Sequence, residues 1–226
     1  MGLIRKFDNL IYPKRCAYCD RVLGNVAKCA LCEPLIMAIK REEGIAIDKK
    51  GRVLDFVDIA LAPYWYVEPV KSGILRFKFG KRQDLAKYYA SELILVLRAC
   101  NILPIFDIII PVPTGIKELK RKGYSVPYLL AMEVSRQNAV PLCTNAIVKP
   151  KDTPPQMSLS GEKRRANLLG AFTVTDLVAV KNKTILLVDD VLTTGSTVNE
   201  CAKMLLISGA KACCSVCIAV GSIATK

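Results

Sequence analysis

The apolar positions of the chain follow two different periods, and together they predict strands that alternate with helices. Mostly apolar runs predict strands over residues 57–62, 106–113, 140–148, 183–190 and 211–220. Apolar residues at every third and fourth position predict helices over residues 70–79, 84–98, 125–138 and 196–208. This alternation predicts an α/β fold with a parallel sheet flanked by helices.

The first 55 residues differ in character from the rest of the chain. A short N-terminal helix is predicted by four apolar residues at helical spacing, Leu3, Phe7, Leu10 and Ile11. We expect this helix to dock on its own protein; a helix that binds a membrane surface or a partner is the alternative. Residues 33–55 mix short helical turns with charged residues and glycine. We therefore predict two units, residues 1–55 and residues 56–226.

Two C-x-x-C pairs dominate the first unit. Nine residues separate the pairs, and the four cysteines are Cys16, Cys19, Cys29 and Cys32. Two thiolate pairs on tight turns can converge into a tetrahedral zinc site with no open position for a substrate. We predict a small structural zinc-ribbon module that folds only with its metal; an iron–sulfur centre or redox thiols are the alternatives. The other six cysteines, including Cys214 and Cys217 on opposite faces of a strand, are predicted to be ordinary buried thiols.

The composition narrows the chemistry that the chain can perform. It contains no histidine, which excludes Ser-His-Asp and Cys-His nucleophile pairs and histidine metal ligands. Lys and Arg number 33 against 20 Asp and Glu, which gives a net charge of +13. That charge favours polyanionic partners such as nucleic acid, phosphorylated metabolites or an anionic membrane surface; a solvated basic face is the alternative. No targeting or membrane-spanning segment is recognisable, so we expect a cytoplasmic protein.

The segment ILLVDDVLTTGSTVNE, residues 185–200, carries the most specific chemistry. Its apolar strand ends in Asp189 and Asp190, at the edge where parallel sheets bind their ligands. These carboxylates can accept hydrogen bonds from vicinal ribose hydroxyls or hold magnesium. The next residues open a helix with hydroxyls, backbone N–H groups and a glycine, which suits a phosphate dianion: Thr193, Thr194, Gly195, Ser196 and Thr197. An Asp cap on a polar turn is the structural alternative.

VDDVLTTGST resembles the phosphoribosyl pyrophosphate signature of the type I phosphoribosyltransferases. The resemblance extends to the ComF family of competence-associated proteins, which join a four-cysteine zinc module to such a domain. The matching pieces occur in the family's order: the two C-x-x-C pairs, GILRFKFG, PVP with the later RKGY, TPPQMSLSGEKRRANLLGAF and the Asp-Asp loop. After RKGY the family usually has Asn and then Gln, whereas this chain has Ser125 and Val126, so contacts from that turn are not carried over.

The resemblance implies a type I phosphoribosyltransferase fold with a small N-terminal zinc-ribbon module, and a specific ligand. The ligand would be phosphoribosyl pyrophosphate with magnesium. Asp189 and Asp190 would act at its ribose, and residues 193–197 would hold its 5-phosphate.

The resemblance also implies where the pyrophosphate would lie. The loop of residues 114–122 would face it, with charge partners among Lys120, Arg121 and Lys122. Residues 150–170 would form a flap that closes over the transition state. Within that flap, Arg164 and Arg165 would stabilise the departing pyrophosphate.

Two functions fit these residues. The resemblance implies a role in natural competence, the uptake or processing of single-stranded DNA in the cytosol, in which competence-machinery proteins would be partners. The alternative is an active phosphoribosyltransferase of nucleotide or amine metabolism with no DNA role, whose acceptor the sequence does not name. Basic and aromatic residues interleave over residues 71–89, and we expect these aromatics to belong to the core rather than to stack on bases.

Overall fold

The buried apolar runs form a parallel sheet that helices flank. The computed structural model describes residues 13–23, 28–41, 46–47, 52–150 and 171–222. Its strands are β1 (Ala60–Leu61), β2 (Tyr64–Trp65), β3 (Ile108–Pro111), β4 (Ile147–Val148), β5 (Thr173–Val174), β6 (Thr184–Leu192) and β7 (Ala212–Val220). Its helices are α1 (Cys32–Ile39), α2 (Val70–Phe79), α3 (Leu85–Ala99), α4 (Ile116–Lys122), α5 (Val126–Asn138), α6 (Leu177–Val180) and α7 (Ser196–Ile207).

The strand order in the sheet, for the residues described, is β1–β7–β6–β3, and all neighbours are parallel. β2 also pairs in parallel with β7, a few residues beyond β1. The register pairs Pro111 of β3 with Val188 of β6, and Asp189 with Cys217 of β7. The carboxyl ends of these strands therefore meet at one edge of the sheet, which is the edge where such sheets bind ligands.

The central strands send alternate side chains into two hydrophobic cores. Leu186 and Val188 pack in the core that also contains buried residues of α2, α3 and α5. Ile185 and Leu187 pack in the second core, to which α7 contributes. The same alternation places Cys214 in the first core and residue Cys217 in the second. The predicted architecture, a parallel sheet flanked by helices, is confirmed.

The long helices agree closely with the sequence predictions, whereas two short ones were not predicted. α2 has the predicted bounds, and α3, α5 and α7 begin and end within one residue of theirs. α4 was predicted as part of a loop, because its sequence IKELKRK has no apolar stripe and none of its residues is buried. α6 has only four residues, too few for a period to show.

The strand predicted over residues 140–148 is only partly present. Leu142 makes an isolated parallel bridge to Ile109, and only the last two residues form β4, which pairs with β5 in an antiparallel ribbon. Of the six cysteines outside the two C-x-x-C pairs, Cys100 and Cys143 are half-buried rather than buried. No described helix has the length and apolar character needed to span a membrane.

The first C-x-x-C turn packs closely against helices α2 and α3. The ring of Tyr18 meets the rings of Tyr88 and Tyr89 edge-on, and its hydroxyl lies 2.8 Å from the hydroxyl of Tyr88. The guanidinium of Arg76 donates to the backbone oxygen of Tyr18. Cys16, Cys29 and Cys32 belong to the same core as these two helices. The unit boundary at residue 55 stays a prediction, and the N-terminal helix predicted within residues 3–11 lies outside the described residues.

Candidate functional site

A cleft of about 800 Å³ opens at the carboxyl end of β6. Its lining comes from the end of β6 and the turn after it, from α4 and the segment before it, and from α2. The charged residues of this lining are six cations and three carboxylates: Lys71, Lys78, Lys117, Arg121, Lys122, Lys149, Glu118, Asp189 and Asp190. Because cations outnumber carboxylates, the cleft favours anionic ligands.

The turn of residues 193–195 joins β6 to α7 and has the geometry of an anion site. Gly195 adopts a positive φ of 82°, and a Cβ at this position would lie 2.7 Å from the backbone oxygen of Val53. Only glycine fits both conditions. The hydroxyls of Thr194 and Ser196 lie 3.0 Å apart. The backbone N–H of Val53 donates a hydrogen bond to the backbone oxygen of Thr194. The free N–H groups of the first turn of α7 follow directly, so hydroxyls and backbone amides lie together in this turn.

The two adjacent carboxylates at the end of β6 share the cleft with a lysine from α2. Asp190 is buried, and its Oδ1 lies 2.7 Å from Nζ of Lys78. Asp189 is half-buried, and its Oδ1 accepts a hydrogen bond of 2.8 Å from the backbone N–H of Asp190. Lys78 is therefore the counter-ion of Asp190 in the ligand-free cleft.

Burial and mutual repulsion set the protonation of these groups. Burial and the charge of Asp190 raise the pKa of Asp189 to about 7. Burial lowers the pKa of the Lys78 ammonium, but the nearby carboxylate of Asp190 outweighs burial, so this pKa lies above the ordinary lysine value. The cleft therefore holds Lys78 as a cation, whereas Asp189 sits close to its point of ionisation at neutral pH.

Helix α4 presents its basic residues beside an aromatic ring from α2. Cζ of Arg121 lies 5.3 Å from the ring centroid of Phe79, and Nζ of Lys122 lies 5.0 Å from it. Lys122 also pairs with Glu118 one turn earlier. All four side chains line the cleft.

Most of the residues that the sequence singled out meet in this cleft. Asp189, Asp190 and residues 193–197 all line it, and so do Arg121 and Lys122. Lys120 is exposed on the same helix and is not part of the lining. Arg164 and Arg165 lie outside the described residues, so their role remains a prediction.

Among the described lining residues, sequence reasoning did not single out three lysines outside residues 114–122 or two aromatic residues, Tyr66 and Phe79. Lys78 and Phe79 belong to the family segment GILRFKFG, which was the signal available, but nothing in the sequence indicated that the end of this helix meets the Asp-Asp pair. Lys71 and Lys149 also line the cleft, and they had no motif to mark them.

The four cysteines of the two C-x-x-C pairs form a separate cluster. Their sulfurs lie within 4.8 Å of one another, and Sγ of Cys19 is 3.5 Å from Sγ of Cys29. A tetrahedral zinc site with Zn–S distances of about 2.3 Å has sulfurs about 3.8 Å apart. The cluster therefore fits a metal ion held by four thiolates, and among the described residues no other group of this kind occurs.

Comparisons with known proteins agree with this geometry. A family model described as "Phosphoribosyl transferase domain" matches residues 123–225. "Competence protein F" of Haemophilus influenzae is 37% identical over 147 residues, which are 62% of this chain and 63% of that protein. "DNA utilization protein YhgH" of Escherichia coli (strain K12) is 33% identical over 150 residues, 65% of each chain. The chain thus matches less than two thirds of the length of these relatives.

A solved structure also resembles the chain at a distance. It is titled "Structure of the allosteric regulatory enzyme of purine biosynthesis" and is 14% identical, with a TM-score of 0.41. The match covers 65% of this chain and 30% of that one.

The charge arrangement predicts opposite effects of two isosteric substitutions. Because the pKa of Asp189 is higher in the folded protein than in the unfolded chain, ionisation of this carboxyl group destabilises the folded state. The destabilisation is absent at about pH 4 and complete above about pH 7. We expect Asp189→Asn to raise the melting temperature at about pH 8, and the gain to shrink as the pH falls to about 5. Thermal unfolding of the ligand-free protein across this pH range measures the effect.

Asp190→Asn is the matched control, because it changes the neighbouring carboxylate with the same loss of charge. It leaves the Lys78 ammonium without the carboxylate at 2.7 Å, so the melting temperature should fall. Equal shifts of the same sign in both variants would contradict the assignment of Lys78 to Asp190.

Proposed function

We propose that the cleft binds phosphoribosyl pyrophosphate with magnesium, as the ComF resemblance implies. The match of residues 123–225 to the phosphoribosyl transferase domain model and the similarity to Competence protein F support this proposal. The observation that carries the proposal is the junction of β6 and α7, where two carboxylates stand directly before a turn of hydroxyls and helix N–H groups. A sugar phosphate needs this pair of features: hydrogen-bond acceptors for its hydroxyls and donors for its phosphate.

The turn after β6 would hold the 5-phosphate. Its phosphate-binding groups are the hydroxyls and backbone N–H groups of residues 193–197, at the positive end of α7. Ser196 is buried, and its hydroxyl lies close to that of Thr194. Gly195 adopts the positive φ that this turn needs, where a Cβ would collide with the backbone oxygen of Val53.

Asp189 and Asp190 would bind the ribose hydroxyls, directly or through magnesium. Carboxylates are the ligands that magnesium prefers in proteins, and the ion would neutralise charge on the pyrophosphate when bound. The present partner of Asp190 is the Lys78 ammonium at 2.7 Å. Ligand binding would therefore exchange one cationic partner of this carboxylate for another or add to it.

The pyrophosphate would lie toward α4. Arg121 and Lys122 line the cleft on that side. Lys120 is exposed and does not line the cleft, so it would contribute only to the electrostatic field around it. Arg164 and Arg165, in the segment between β4 and β5, would close on the pyrophosphate as a flap, as the resemblance implies.

Replacing both carboxylates tests the donor site. Asp189→Asn combined with Asp190→Asn keeps the volume and removes two charged hydrogen-bond acceptors, which should lower the affinity for phosphoribosyl pyrophosphate with magnesium at least about ten-fold. Isothermal titration measures the affinity, and circular dichroism confirms that the variant is folded. An unchanged affinity in a folded double variant would refute the site.

A second proposed function is the handling of single-stranded DNA in natural competence. It is supported by the names of the relatives, one a competence protein and one a DNA utilization protein, together with the cation-rich cleft and the net charge of +13. Cationic grooves bind nucleic acid through its phosphates and release counter-ions. Competence-machinery proteins would then be its partners.

Salt dependence tests the DNA function. A labelled oligonucleotide of mixed sequence should bind at low salt, and its affinity should fall steeply between about 50 and 200 mM salt, with weak dependence on sequence. Absence of binding at low salt would refute the DNA function. Pyrophosphate release from the donor when nitrogen acceptors are added, in a protein that does not bind DNA, would favour the alternative, an active phosphoribosyltransferase.

We also propose that the four-cysteine cluster holds zinc in a purely structural role, since four thiolates leave no open coordination position. The purified protein should contain about one zinc per chain. Cys16→Ser combined with Cys19→Ser should release the metal and lower the melting temperature, whereas Cys100→Ser, outside the cluster, should do neither. Elemental analysis decides the matter, and unchanged zinc in the double variant would refute the assignment.

A further inference from the structure

One aromatic ring of the basic segment 71–89 is exposed in the cleft, against the expectation that these aromatics form the core. Phe77 and Tyr89 are fully buried, as expected, but Phe79 is 47% exposed and lines the cleft. It is the last residue of α2, directly after Lys78, whose ammonium contacts Asp190. The ring therefore lines the same cleft as the acidic pair.

Cations from α4 surround this ring. The guanidinium of Arg121 and the ammonium of Lys122 lie 5.3 Å and 5.0 Å from the ring centroid of Phe79, within the range of cation–π attraction. The guanidinium is planar, and its position indicates that a flat group can approach the ring from α4. Lys117, on the same helix, also lines the cleft.

An exposed ring among cations is the combination that binds single-stranded nucleic acid. A base stacks on the aromatic ring or on a guanidinium plane, while neighbouring cations hold the phosphates on either side. Bases in a duplex are stacked on each other and present no free face, and a free nucleobase has no phosphate to use the surrounding cations. The chemistry of this part of the cleft thus favours a single strand.

We propose that Phe79 and Arg121 form a subsite for one nucleobase of a single-stranded DNA, with its phosphates bound by the lysines of α4. The proposal rests on the proposed DNA function and adds to it the point of contact. It places a base in the same cleft as the carboxylate pair of the proposed donor site.

The test compares Phe79→Leu with a matched control. Phe56 is also an exposed phenylalanine with a cation over its ring, Lys203 at 5.9 Å, but it does not line the cleft. The probes are a dT oligonucleotide of about 12 nucleotides with one central 2-aminopurine, and an abasic oligonucleotide of the same length. Fluorescence of 2-aminopurine reports stacking, and titration reports affinity.

We expect Phe79→Leu to lower the affinity for the dT oligonucleotide at least about five-fold and to abolish the quenching of 2-aminopurine. Its affinity for the abasic oligonucleotide should not change. Phe79→Trp should retain quenching, and Phe56→Leu should behave as wild type. Arg121→Ala should weaken binding of both oligonucleotides, and weaken the dT oligonucleotide more.

Three results separate this subsite from the DNA function itself. If wild type binds dT and Phe79→Leu binds it equally well with the same quenching, the subsite is refuted and the DNA function stands. If wild type binds neither oligonucleotide at low salt, the DNA function fails and the subsite fails with it. If Phe79→Leu loses affinity for the abasic oligonucleotide to the same extent, the ring acts only by positioning α4, and the subsite is refuted.

Discussion

A close contact with the first C-x-x-C turn fixes the position of helix α2. A Cβ at Gly73 would collide with the hydroxyl oxygen of Tyr89 and lie 2.7 Å from the backbone oxygen of Ala17, so no side chain fits there. The helix is thus pressed against the first C-x-x-C turn on one side and against α3 on the other. Arg76, one turn further along, adds a hydrogen bond to the backbone of Tyr18. Because α2 is a rigid rod, contacts at its middle also determine where its end lies.

The end of α2 is where this constraint reaches the cleft. Lys78 follows Arg76 by two residues and contacts Asp190, while Phe79 faces the cations of α4. A four-cysteine module that stabilised only itself would not need to pack so closely against this helix. Its packing makes the first C-x-x-C turn part of the support for the cleft, since a change in the position of α2 would move the counter-ion of Asp190.

The strands β3, β6 and β7, the long helices and the phosphate-type turn could be predicted from the sequence, because their signals are local. β6 carries a continuous apolar run, and the turn of residues 193–197 needs only its own hydroxyls and glycine. What could not be predicted depends on contacts between distant segments. The pairing of Lys78 with Asp190 joins residues 112 positions apart, and the exposure of Phe79 depends on α4, a helix without an apolar stripe. Strand pairing also depends on distant segments. Residues 140–148 form little strand because their pairing with the sheet edge is limited to a single bridge to Ile109.

The arrangement of charges in the cleft indicates the kind of ligand more specifically than the net charge of the chain does. A value of +13 is compatible with a solvated basic face, but a solvated face does not place a half-buried lysine 2.7 Å from a buried carboxylate. Asp189 and Asp190 come from the end of β6, and most of the cations come from α4 and α2. These two helices contact one another through Arg121 and Phe79. Asp189 and Asp190 therefore repel each other, and among the described residues Lys78 is the cation in direct contact with this pair. A ligand that brings hydroxyls or a divalent cation to the carboxylates and phosphates to the helices satisfies both sets at once, which neither a simple anion nor a simple cation can do.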